Sequence, residues 1–229
     1  MAKKRTKRKE LVKGPDEFIT LTGKIIRWAR DNAKTLIYGA CLFFAVVILS
    51  SGFRMYKNAQ MASASTQLSH TMTIYKEAVE KKDSAVETLE VVRPEFERLV
   101  NTYGSQAEGR AGRILFGHIA LAGQDTDEAL EMYSKAYKTF DKDPSLKNVV
   151  LNGLAKVHLE KGETTAAIEN YEKIVKGSSS LLKDTALFHL GCLYKESGDT
   201  QKSSQYFEQL DKDFPNSIFA EIAKEKKAT

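Results

Sequence analysis

The chain has 229 residues, 35 basic and 30 acidic, for a formal charge of +5. Residues 1–34 hold 11 basic against 4 acidic residues, a net +7, so the remainder sums to −2 and the alkaline character belongs to the leader, not to the main domain. Cys41 and Cys192 are the two cysteines, and because the first lies in an apolar stretch, neither an intrachain disulfide nor a thiolate metal cage is expected.

The leader begins MAKKRTKRKELVK. Dense lysine and arginine of this kind can neutralise nucleic-acid phosphates. Here the charges carry no aromatic residue among them and stand within reach of the apolar stretch. Orientation and attraction to anionic lipid account for them, at about 1 kcal/mol per basic residue near a membrane surface. Nucleic acid is not an expected partner. Further on, Phe18, Leu21, Ile25 and Trp28 recur at three- and four-residue steps among Lys24, Arg27, Arg30 and Lys34. This pattern predicts an amphipathic helix lying along the inner membrane face.

Residues 35–53, TLIYGACLFFAVVILSSGF, form 19 consecutive uncharged positions. As a helix they span about 29 Å, the thickness of a bilayer's hydrocarbon layer. A buried soluble helix of that length would interrupt its apolar run with a polar stripe, whereas here Thr35, Tyr38, Ser50 and Ser51 stand near the ends. The 34 residues ahead of the stretch are long for a cleaved signal peptide, although the small residues between 59 and 64 leave room for a protease. Gly39-Ala40-Cys41 lacks the preceding apolar run of a lipid-attachment site. Basic residues beside a span resist translocation, so the N-terminus is expected in the cytoplasm and the C-terminal part across the membrane.

After residue 53 about 176 residues remain, enough for one domain with a core. Residues 184–217 read DTALFHLGCLYKESGDTQKSSQYFEQLDKDFPNS. Leu190, Gly191, Tyr194, Gly198, Ser203, Phe207, Leu210 and Pro215 resemble the tetratricopeptide pattern, which implies a helix pair per repeat. In residues 148–181 the corresponding places are Leu154, Ala155, His158, Gly162, Ala167, Tyr171 and Ile174, with a turn at Gly177 replacing the proline. Upstream, Leu115, Gly123, Ala129, Tyr133 and Ala136 recur with about one extra residue in the turn. A degenerate first repeat is expected from a long helix over about 61–81 and a second helix in 84–103, and a closing helix from Ile218, Phe219 and Ile222. Gly162 and Gly198 are expected in the left-handed region that ends a helix, and small residues where helices cross. The expected fold class is all-α, one transmembrane helix followed by a tetratricopeptide-repeat α-solenoid.

His118, His158 and His189 fall in successive first helices without metal-ligand spacing, which predicts packing or hydrogen bonding. GRAGR at Gly109 and TGKI at Thr22 lack the spacing of a phosphate loop. No turn presents a serine or cysteine nucleophile, so no enzyme activity, cofactor, metal or small-molecule substrate is expected. A stack of helix pairs presents a curved groove suited to a polypeptide. In the tetratricopeptide register, Arg113, Asn152, Lys156, Phe188, Cys192 and Lys195 are the candidate partner-binding residues, with ordinary solvated positions as the alternative for each.

The order of parts, a basic leader with an amphipathic helix, one span and then repeats to the end, resembles the family of the ancillary subunit of the bacterial Sec translocon. That resemblance implies an inner-membrane protein facing the periplasm, with translocation-channel subunits, periplasmic chaperones and emerging client polypeptides as partners. Membrane lipid would be met by the span and the leader. A regulatory or assembly subunit of another envelope complex, such as a cell-wall synthase, is the competing reading.

Overall fold

The computed structural model describes residues 17–81 and 84–228. The most basic part of the leader, residues 1–16, lies outside the described residues. Packing divides the chain into two units, residues 1–60 and 61–229. Among the described residues there are ten helices and no strand.

In the first unit, α1 (Glu17–Asp31) is followed after one residue by α2 (Ala33–Lys81). Backbone hydrogen bonds carry across the junction, from Asn32 N to the Trp28 carbonyl at 2.9 Å and from Leu36 N to the Asn32 carbonyl at 3.0 Å. Leu21, Ile25 and Trp28 are all exposed, so this face of α1 finds no cover among the described residues. The apolar window of α2 is the one candidate membrane span among the described residues, and none of it is buried. A soluble core helix would have been covered by other elements, as the repeat helices are.

α2 runs on as one helix of 49 residues, where the sequence predicted a separate helix from about residue 61. The intervening RMYKNAQ has no proline or glycine, and most of these residues are good helix formers, so nothing stops the hydrogen-bond ladder. In the second unit its stripe of Ala64, Leu68, Thr71, Tyr75 and Ala78, at alternating four- and three-residue steps, faces the protein. Gln67 Nε2 donates to Glu95 at 3.0 Å and Ser65 Oγ to Glu108 at 3.0 Å, tying this helix to the next two.

The remaining helices form successive pairs: α3 (Ala85–Thr102) beside α2, then α4 (Ala107–Ala122) with α5 (Thr126–Thr139), α6 (Pro144–Glu160) with α7 (Thr164–Lys176), α8 (Lys183–Glu196) with α9 (Thr200–Asp213), and the closing α10 (Ile218–Ala228). Side-chain caps start several of them. Ser84 Oγ accepts from Glu87 N, Asp125 from Glu128 N and Asp199 from Lys202 N, while Asp143 caps α6 ahead of Pro144. Glu163, at the place Asp125 and Asp199 hold, makes no side-chain cap; its longer side chain meets His158 Nδ1 at 2.6 Å instead.

Three core clusters follow one another along the stack, centred on Phe96, Phe116 and Tyr133, on Tyr171 and Leu190, and on Leu187 and Phe207. Tyr133 and Phe207 fill space opposite glycines. A Cβ on Gly117 would stand 3.0 Å from the Tyr133 ring, one on Gly153 2.4 Å from it, and one on Gly191 2.4 Å from Phe207. Tyr194 is half-buried and stacks on Tyr206 at 5.6 Å, both hydroxyls donating to Glu172 of α7. In α10, Ala220 and Ala223 are buried and Phe219 packs against the same cluster, while Ile218 is exposed.

The turns correct the alignment of the α4–α5 repeat. Gly162 (φ +74°) and Gly198 (φ +84°) are left-handed as expected, but in the upstream repeat Gln124 (φ +65°) takes that place, not Gly123. Gln124 precedes Ala129 by the same five positions that separate Gly162 from Ala167 and Gly198 from Ser203, so the turn holds no extra residue. Gly123 is small for another reason: a Cβ there would stand 2.7 Å from Leu89 Cδ2.

Candidate partner-binding groove

With this register, Gly117, Ala155 and Gly191 are equivalent, each 16 residues before Tyr133, Tyr171 and Phe207. It follows that Ile114, Asn152 and Phe188 share one place on the first helices, and His118, Lys156 and Cys192 another. A groove of about 900 Å³ opens between α4 and α6, closed at one end by the α5–α6 connection. Ile114, Leu115, Leu146 and Val149 form its apolar wall, and Arg110, Lys138 and Lys142 bring cations to it. A smaller cavity of about 290 Å³ lies between α2, α3 and α4, and Leu115 and His118 line both.

His118 stands with one edge open to the groove, its Nδ1 against the Tyr133 hydroxyl. Exclusion of water by the surrounding helices pushes the imidazole pKa below its ordinary value, and the Lys156 cation pushes it the same way. His189 is shifted in the same direction by the same two causes in the same order. Its ring lies parallel to Tyr171 at 5.0 Å. Lys156 on α6 therefore acts on histidines of both flanking first helices. Burial raises the Tyr171 phenol to about 12, and its hydroxyl has no hydrogen-bond partner among the described residues. Arg110 Nε and Asn152 Oδ1 are also buried atoms without a partner among the described residues.

The six sequence candidates take different places. Lys156 is exposed, and Asn152 lies one turn beyond Val149 of the groove wall. Arg113 is turned aside: Nη1 donates to Thr139 Oγ1 at 3.2 Å and the guanidinium fills the space beside Gly104, so its neighbour Ile114 lines the groove. Phe188 packs between Phe207 and Phe219, with ring centroids 6.2 and 5.1 Å away, and Cys192 lies partly buried against the same cluster. Lys195 is exposed near the end of α8. None of the six lines the α4–α6 groove: Asn152 and Lys156 lie on α6 beyond its wall, and Phe188 and Cys192 edge the last core.

Sequence reasoning missed Arg110, Leu115, Lys138, Lys142 and Leu146 as groove residues. Counting back from Tyr133 by the spacing of the other repeats would have moved the α4 register onto Ile114. No periodicity marks Lys138 and Lys142, because they leave the second helix and its connection. His118 and His158 meet hydrogen-bonding partners and His189 packs on a ring, as their spacing predicted. Among the described residues no group of three metal-ligating side chains comes together.

The family described as tetratricopeptide repeat-like domain matches residues 27–184, a stretch that takes in the apolar window of α2. The tetratricopeptide repeat itself matches residues 185–217, the α8–α9 pair. No curated protein matches the chain. With more than half of its length matched, the chain belongs to the tetratricopeptide repeat-like domain family.

Proposed function

We propose that this protein is a non-enzymatic, membrane-anchored scaffold whose repeats bind other proteins at the protein-translocation channel. In this reading residues 1–34 are a cytoplasmic basic leader with its amphipathic helix, 35–53 cross the bacterial inner membrane, and 54–229 form the repeat domain in the periplasm. Channel subunits, periplasmic chaperones and client polypeptides are the partners, and lipid meets the span and the leader. The observation that carries the reading is the pairing of an uncovered apolar helix with a stack of repeats whose first helices bound an open groove. The excess of basic residues before the span supports the orientation, because unbalanced cations are costly to translocate.

Purification in mild detergent tests the partner assignment. Recovery of channel subunits is the expected result, and recovery of a synthase or protease without any channel would replace the translocon by another envelope complex. Orientation is read from a Ser63→Cys variant treated with a membrane-impermeant thiol reagent. Labelling without opening the inner membrane is expected; labelling only after it is opened would put the domain in the cytoplasm.

A further inference from the structure

The α4–α6 groove carries an excess of positive charge over an apolar floor, three cations against two carboxylates. Two carboxylates line it, and both are engaged. Asp141 pairs with Lys147 at 2.6 Å, and Asp143 accepts from Ser145 N at 3.1 Å and Leu146 N at 3.0 Å. Arg110, Lys138 and Lys142, by contrast, form no ion pair among the described residues. Lys156 adds its charge from the next part of α6, and its field reaches His118 and His189 on both sides. Potentials at an interface are complementary, so this surface selects a negative partner and disfavours a positive one.

Arg110, Lys138 and Lys142 line the groove as hydrogen-bond donors. An extended chain has unused backbone carbonyls and carboxylates to offer them, whereas a helix spends its carbonyls internally.

We propose that this groove receives an extended, acidic polypeptide segment, seating apolar side chains against Ile114, Leu115, Leu146 and Val149 and setting carboxylates against Arg110, Lys138 and Lys142. The assignment rests on the scaffold reading above and names the chemistry of the client or partner segment.

The experiment uses the full chain in detergent and two short fluorescent peptides, one alternating leucine with glutamate and the other leucine with lysine, followed by anisotropy. The glutamate peptide should bind at least about tenfold more tightly, with an affinity that falls as salt is raised. Reversing Lys138→Glu and Lys142→Glu together, both on exposed side chains, should weaken it about tenfold and improve the lysine peptide. A photoreactive residue in place of Lys142 should crosslink to the glutamate peptide. Equal binding of the two peptides by the unaltered protein, indifference to the double reversal, or crosslinking only elsewhere would overturn the proposal. A chain that recovers channel subunits but does not discriminate the peptides would lose the acidic-segment assignment alone. A chain that discriminates the peptides but recovers no channel would keep the groove chemistry and lose the translocon reading.

Discussion

Phe207 occupies the space in which Gly191 has no side chain: a Cβ on Gly191 would stand 2.4 Å from Cε1 of the ring. Both belong to the same repeat, one on α8 and one on α9, and Phe207 is only 2% exposed. Interiors packed this closely do not absorb an added methyl without a shift. Gly191→Ala should lower stability by about 1–3 kcal/mol, the usual range for overpacking, read from urea denaturation. A midpoint within error of the parent would show that α8 and α9 can separate freely.

Gln124 takes the left-handed conformation that glycine supplies in the other two turns, and it is exposed, so its side chain contributes little packing. Gln124→Gly removes the strain of a Cβ at positive φ while adding chain entropy to the unfolded state. The difference should stabilise by about 0.5–1 kcal/mol. A parallel Gly198→Gln change should destabilise. If the two substitutions shift the denaturation midpoint in the same direction, φ does not govern these turns.

Asn148, near the start of α6, holds the connection between α7 and α8. Its Nδ2 donates to the carbonyls of Leu181 at 2.8 Å and Ser179 at 3.3 Å, holding the irregular α7–α8 connection against the start of α6. The side chain is 3% exposed, so its loss leaves two carbonyls poorly served. Asn148→Ala should cost about 1–3 kcal/mol and speed amide exchange in residues 177–182 relative to the α4–α5 pair. Uniform exchange throughout the repeats would contradict a local latch.

His118 and His189 give the domain a pH dependence of definite sign. Both have folded pKa values below the ordinary 6.5, because desolvation and Lys156 oppose the imidazolium. As pH falls through about 6.5 the unfolded chain takes up these protons first, so their contribution to stability is intact above that value and declines below it, down to the folded pKa. Melting curves between about pH 8 and 5 should show His118→Gln with His189→Gln losing less stability than the parent on acidification. An equal loss in both proteins would assign the acid sensitivity to carboxylates.

Much of this architecture was written along the chain. The uncharged run in residues 35–53 and the recurrence of Gly-Glu or Gly-Asp, a small residue and an aromatic ring at fixed intervals name local preferences that need no partner to be read. Gly123 resembles a turn glycine in the sequence, although its smallness answers to Leu89 on another helix. That one-residue error turned Ile114 into Arg113 in the expected groove. The length of α2 was missed for a similar reason: a polar stretch after an apolar one suggested a boundary, but a helix ends only where a residue breaks its hydrogen bonds.

What the sequence by itself determined is the alternation of helices and turns, the uncovered apolar segment and the imbalance of charge around it, since each is a property of neighbouring residues. Only the tertiary structure decided which cations share a groove, which carboxylates are already engaged and which buried polar atoms stay unpaired. Arg110, Lys138 and Lys142 come to one groove because α4 packs on α5 and α5 on α6. Electrostatics and hydrogen bonding act through space, over distances that spacing along the chain does not record.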